Sequence, residues 1–109
     1  MIEDGGVLVN PMIVDGQVAG GTAQGIGSAR YEEMPYDAQG QPLASALADY
    51  LLPGAMDVPS IRIHHMQTPS PYTEFGVKGI GEGGVIGPPA AILNAINDAL
   101  RPLGAEVAP

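Results

Sequence analysis

The 109 residues amount to one small domain, enough to bury about 65% of the unfolded surface around a single core. Four basic against twelve acidic side chains give a net charge of −8, which repels phosphate backbones and anionic headgroups and sets nucleic acid and membrane surfaces aside as partners. With no Cys, the chain cannot ligate an iron–sulfur cluster, form a disulfide or offer a thiol nucleophile.

The apolar residues include one Phe, four Tyr and no Trp, so any core is thin and built from Ala, Val, Ile, Leu and Met. Gly and Pro are abundant but interspersed with periodic apolar segments, which describes an ordered, loop-rich chain. Met1-Ile2-Glu3-Asp4-Gly5-Gly6 has neither a basic leader region nor an apolar run, and no stretch approaches the roughly 18 apolar residues of a membrane span. A cytoplasmic location is the expectation.

Gly6 to Val14 is rich in Val and Ile and is expected to be extended, with Pro11 confining part of it to a sheet edge or irregular stretch and Asp15-Gly16 closing it as a turn. From Gln17 to Glu33 the spacing of Val18, Ala19, Thr22, Ala23, Ile26, Ala29, Arg30 and Tyr31 predicts a helix. Gly20, Gly21, Gly25 and Gly27 each cost about 1 kcal/mol there relative to Ala, and close approach of another backbone or a ligand is the expected reason. Tyr31-Glu32-Glu33 is expected to be a solvated helix end.

Tyr36 to Leu43 reads as two short extended pieces around Gly40, and Ala44 to Leu52 as a brief apolar stretch closed by Pro53-Gly54. Ser60 to Thr68 alternates, Ile61 and Ile63 on one face, Arg62 and His64 on the other, as a half-buried strand. Adjacent His64 and His65 would then point to opposite faces and could not chelate one metal. Thr73 to Gly87 is a glycine-rich loop, and Pro88-Pro89 opens a helix whose Ile92, Leu93, Ile96, Ala99, Leu100 and Leu103 form an apolar stripe, stopped by Pro102 and Gly104.

Gly79-Ile80-Gly81-Glu82-Gly83-Gly84 formally fits the dinucleotide pattern G-x-G-x-x-G. A polar, proline-containing loop precedes it instead of an apolar strand, and its carboxylate would oppose a pyrophosphate. The glycines around Glu82 let a bulky ligand approach the main chain, and a water-poor setting would raise the carboxyl pKa towards that of a general base. On composition alone, a solvated Glu in a flexible loop is the favoured reading. Lys78, the only lysine, either pairs with a carboxylate, meets an anionic cofactor group or is solvated.

Gly76-Val77-Lys78-Gly79-Ile80-Gly81-Glu82-Gly83-Gly84, followed by Ile86-Gly87-Pro88-Pro89-Ala90-Ala91 and a helix over Ile92 to Leu100, resembles the C-terminal signature of the molybdenum hydroxylases. These are the large subunits of xanthine dehydrogenase, aldehyde oxidase and aerobic carbon monoxide dehydrogenase. Asn10-Pro11-Met12-Ile13-Val14, Gln17 to Gly27 and Tyr31-Glu32-Glu33 are similar to that family's glycine-rich helix block. Asp49-Tyr50, Leu52-Pro53 and Thr68-Pro69-Ser70-Pro71 also fit.

The resemblance implies an α+β fold: residues 1–109 as the C-terminal, incomplete portion of a second molybdenum-cofactor-binding domain, with mixed short strands, a glycine-rich helix and a C-terminal amphipathic helix. It implies a molybdenum–pyranopterin (molybdopterin) cofactor gripped mainly by upstream parts of the large subunit, with iron–sulfur and FAD on partner subunits or domains. Glu82 matches the general base for attack of Mo–OH on an aldehyde, N-heterocycle or CO-type small-molecule substrate. Gln24 matches a cofactor-contacting glutamine, or lies on the polar face of its helix. Backbone at Gly81 and Gly83 would line the metal's surroundings, and no side chain of this chain is assigned as a metal ligand. The expected oxidoreductase is inactive as this chain alone. A non-catalytic packing module is the alternative, and molybdenum content separates the two.

Overall fold

A computed structural model describes residues 1–107. In chain order it contains β1 (Ile2–Asp4), α1 (Pro11–Arg30), β2 (His64–Met66), α2 (Gly83–Ile86) and α3 (Pro88–Leu100), with 3-10 turns at Glu74–Gly76 and Arg101–Leu103. The expected combination of helices and short strands is present.

The first helix begins earlier than its spacing predicted. Asn10 is extended (φ −137°, ψ 95°), and its side chain accepts from the Ile13 amide at 3.3 Å while Pro11 fills the first turn. A proline there gives up only an N–H that has no intrahelical partner. The segment expected to be extended up to Val14 is therefore helical from Pro11, and Asp15-Gly16 lies inside α1 instead of closing a turn. Val14, Val18, Gly25, Ile26 and Gly27 are its buried residues.

The strand expected over Ser60 to Thr68 is regular only at His64–Met66, which pairs in parallel with β1 in the register Ile2↔His64, Glu3↔His65, Asp4↔Met66. The N-terminal amine donates to the Arg62 carbonyl at 2.7 Å and extends the association backwards. Ile61 and Ile63 are half-buried and Arg62 and His64 exposed, as the alternation required. Tyr36 and Pro42 form an antiparallel bridge around Gly40, which adopts φ +79°.

Pro88-Pro89 opens α3, and Gly104 in the left-handed region (φ 65°) follows the closing 3-10 turn. Ile92, Leu93, Ile96 and Leu100 are half-buried, whereas Ala99 and Leu103 are exposed. Asn97 clasps the tail: its amide donates to the Val107 carbonyl at 3.1 Å and its oxygen accepts from the Val107 amide at 2.7 Å.

Among the described residues, Val14, Val18, Ile26 and Ala44 are the buried apolar side chains. The accessible surface of 7747 Å² exceeds the roughly 5,700 Å² of a folded monomer of this mass. The radius of gyration of 17.5 Å likewise exceeds the about 13 Å of a compact chain of this length.

Candidate functional site at the glycine-rich loop

The loop leading to Glu82 is stitched to the N-terminal segment. The Gly76 carbonyl accepts from the amides of Val7 at 3.2 Å and Ser70 at 3.0 Å, and the Lys78 amide donates to the Gly5 carbonyl at 3.0 Å. Gly6 (φ +65°) has no room for a side chain, because a Cβ would run into the Gly76 carbonyl oxygen. Next to Gly76 (φ +72°), Phe75 also lies in the left-handed region, at φ 58° and ψ 4°. That conformation costs a residue with a Cβ about 1–2 kcal/mol. Its side chain is 77% exposed, so burial of the ring offsets little of the cost.

Lys78 is paired, not free. Its Nζ lies 3.1 Å from Asp4 Oδ2, and Asp4 Oδ1 accepts from the amides of Gly6 at 3.0 Å and Thr68 at 3.1 Å. The backbone amide of Gly6, then that of Thr68, then the ammonium of Lys78 hold the Asp4 carboxyl well below the ordinary carboxylate range. One carboxylate thus joins the end of β1, the segment after β2 and the glycine-rich loop.

Beyond Lys78 the chain turns at Ile80–Gly83, where the Gly83 amide donates to the Ile80 carbonyl at 3.0 Å. Glu82 occupies that turn at φ −102°, ψ 9°, directly before α2, and its carbonyl accepts from the Val85 amide at 3.0 Å. Its side chain is exposed. The water-poor surroundings expected for a base are not supplied by the residues described here.

Close packing of α1 against this turn fixes its position. Gln17 Nε2 donates to the Gly81 carbonyl at 2.6 Å. A Cβ on Gly21 would lie 3.0 Å from the Gly84 main chain, and one on Gly84 would lie 2.7 Å from the Val18 carbonyl oxygen. A Cβ on Gly25 would meet Pro88 at 2.8 Å, and one on Gly27 would meet Pro53 at 2.8 Å. Residues 17, 21 and 25 therefore meet 81, 84 and 88 in the same order, each pair one helical turn after the last. Close approach of other parts of the chain explains Gly21, Gly25 and Gly27, but not Gly20, around whose Cβ position nothing lies within 4 Å.

Gln24 is exposed on α1, three residues after Gly21 and seven after Gln17, and so belongs to the same helical stripe. The two other singled-out glycines differ. The Cβ position of Gly81 faces open space, whereas at Gly83 it would meet the Glu3 carboxylate at 2.5 Å. Gly79 and Gly87 resemble Gly81 and Gly20: no neighbour within 4 Å and no positive φ.

One expectation at the edge of the site changes. Glu32 is half-buried and accepts from the Tyr50 hydroxyl at 2.5 Å, which pushes the Tyr50 phenol pKa up, and the Tyr31 hydroxyl donates to Asp57 at 3.3 Å. The end of α1 is thus a fastening point for the following loop instead of a solvated terminus. His64 and His65 do separate, His64 exposed and His65 turned to α1, where its Nε2 lies 2.6 Å from Asp15 Oδ1. Sequence reasoning missed Gln17, Glu3 and Asp4; their partners are distant along the chain, and no local pattern marks them.

The family model of the molybdopterin cofactor-binding domain matches residues 1–59, more than half of the chain. The chain belongs to this family. As a molybdopterin cofactor-binding domain it is 51% identical over 104 residues to the nicotine 6-hydroxylase large subunit of Paenarthrobacter nicotinovorans, covering 94% of this chain and 13% of that protein. It is 39% identical over 103 residues to the carbon monoxide dehydrogenase large chain of Hydrogenophaga pseudoflava, covering 94% and 13%. The crystal structure of quinoline 2-oxidoreductase from Pseudomonas putida 86 superimposes with a TM-score of 0.93 at 50% identity, over 97% of this chain and 14% of that one. Each shared stretch is so nearly the whole of this chain that it includes Glu82, yet the chain spans only about an eighth of the relatives' length.

The residues present suit a molybdopterin cofactor. Glycines that neither a positive φ nor a close neighbour requires, Gly16, Gly20, Gly79, Gly81 and Gly87, leave room for a ligand next to bare main chain, and Gln24 offers both a donor and an acceptor. No group of three or more His, Asp or Glu side chains able to hold a metal ion occurs among the described residues, so contacts from this chain would come from amides and backbone.

Proposed function

We propose that these residues form the base-bearing part of a molybdenum hydroxylase large subunit, in which Glu82 is the general base for hydroxylation of an aldehyde, N-heterocycle or CO-type substrate. The observation that carries this reading is the placement of Glu82: a carboxylate on a tight turn pinned to α1, with Gly81 beside it opening to unfilled space. When bound, the molybdenum–pyranopterin cofactor supplies Lewis acidity and two-electron redox chemistry.

Glu82 takes up the proton at a carboxylate oxygen as the substrate is attacked, and its task is proximity and alignment more than basicity. Gln24 holds the cofactor's polar edge with its side-chain amide. Gly81 lets the cofactor approach the main chain on its open side, and the Gly83 main chain lines the adjoining position next to Glu3. The remainder of the large subunit grips most of the cofactor and excludes water from Glu82. Iron–sulfur and FAD groups on partner subunits or domains carry electrons away. The fine description of the fold follows: an incomplete second cofactor-binding domain with a glycine-rich α1 and an amphipathic α3, inactive as this polypeptide alone.

Glu82→Gln keeps the shape and removes the base. In the molybdenum-loaded enzyme it should lower turnover by about 10²–10⁴-fold while molybdenum content stays unchanged. Full turnover in that variant, or a purified complex without molybdenum, overturns the proposal and leaves the packing-module reading, which the thin core of Val14, Val18, Ile26 and Ala44 favours.

A further inference from the structure

We infer that Gln17 is a positioning residue for Glu82: by donating to the Gly81 carbonyl, its amide fixes the Gly81–Glu82 peptide and so the aim of the carboxylate. This inference rests on the reading of Glu82 as the general base.

The stretch that carries Glu82 is the loosest link in the site. Neither Gly79 nor Gly81 has a neighbour within 4 Å of its Cβ position, and glycine restricts its own dihedrals least of all residues. The carbonyls on either side are already engaged, Ile80 by the Gly83 amide and Glu82 by the Val85 amide. The carbonyl between them belongs to Gly81, and the Gln17 Nε2 contact at 2.6 Å is what holds it. Rotation of that one peptide would swing Glu82 without disturbing either neighbouring hydrogen bond.

The tether starts from a firm support. Gln17 adjoins Val18, the one large side chain buried completely among the described residues, and lies one turn before Gly21, which packs on the Gly84 main chain. Its length also matters. Asn is one methylene shorter, and an ionised Glu has no N–H to give and would repel the carbonyl oxygen. A base that must meet its proton within hydrogen-bond reach depends on such support, because about 1 Å of misplacement can cost 10²-fold in rate.

The test compares Gln17→Leu, Gln17→Asn and Gln17→Glu with Glu82→Gln in the molybdenum-loaded enzyme. Each Gln17 variant should lower kcat by about 10–100-fold at unchanged KM and molybdenum content. In the Glu82→Gln background, Gln17→Leu should bring no further loss, since both act on one function. A crystal structure of Gln17→Leu should show the Gly81–Glu82 peptide rotated. Unchanged kcat, losses that multiply in the double variant or an unmoved peptide overturns the inference. So does loss of molybdenum from Gln17→Leu, which would assign the side chain to cofactor retention. If Glu82→Gln is itself fully active, the base falls and its positioning with it. If Glu82→Gln is inactive while Gln17→Leu is normal, the positioning role alone is lost.

Discussion

Asp4 concentrates three hydrogen bonds on one carboxylate, and only one of them comes from a charged partner. Folding lowers its pKa below the unfolded value of about 3.9. The native state therefore holds this proton less tightly than the unfolded chain does. The resulting stability is fully present above the unfolded value and is lost as pH falls through the folded one. Asp4→Asn should be less stable than the native sequence at neutral pH, with the gap closing as pH drops below about 4; hydrogen-exchange protection of the Gly6 and Thr68 amides in the complete large subunit, measured across pH, checks this. A gap that persists unchanged into strong acid would show that the ionised form of Asp4 contributes nothing. None of this was legible in Met1-Ile2-Glu3-Asp4, because Lys78 lies 74 residues away. Gln17 escaped notice for the same reason, its acceptor being 64 residues on. Glu82 and Gln24 could be singled out because glycines surround the one and an ordered motif contains the other.

At the scale of the element, α1 shows how local signals compete. The Val and Ile residues before Asp15-Gly16 spoke for a strand and a turn, yet Asn10-Pro11 is a cap followed by a first-turn proline, and the helix starts there. Its glycines were expected to need a reason from outside the helix, and packing on α2 and the start of α3 supplies one for Gly21 and Gly25. The strand pairing was less legible: β1 is three residues long, too short for a period to register. The glycines of α1 should separate on substitution. Gly20→Ala, with open space at its Cβ position, should stabilise the helix by about 0.5–1 kcal/mol. Gly21→Ala should destabilise by about 1–3 kcal/mol through overpacking on Gly84. Hydrogen-exchange protection along α1 in the complete large subunit reads both signs for the two variants, and equal effects would refute the division. If the space beside Gly20 belongs to the cofactor, Gly20→Ala should also lower molybdenum content while raising stability.

For the whole molecule, the decisive quantity is surface. Few apolar side chains are buried, and Val9, Met12, Ile13 and Ile86 stand out from the region around α1 and α2. A separate polypeptide of these 109 residues should therefore self-associate or bind a hydrophobic dye such as ANS, and should melt without a sharp transition. Light scattering and calorimetry decide this, and a cooperative melt from a monodisperse monomer would contradict it. The stripe on α3 from Ile92 to Leu103 is half-buried over most of its length and open mainly at Ala99 and Leu103. The exposed apolar surface is thus spread over several elements.

The contact between Gly21 and Gly84 carries one more implication. Most packing faults can be repaired by a second substitution that shrinks the facing side chain, but here both faces are already main chain. No residue is smaller than glycine, so a variant at either position has no compensating partner at the other. A selection for suppressors of Gly21→Ala should recover reversion or shifts elsewhere in the fold, and never a change at position 84.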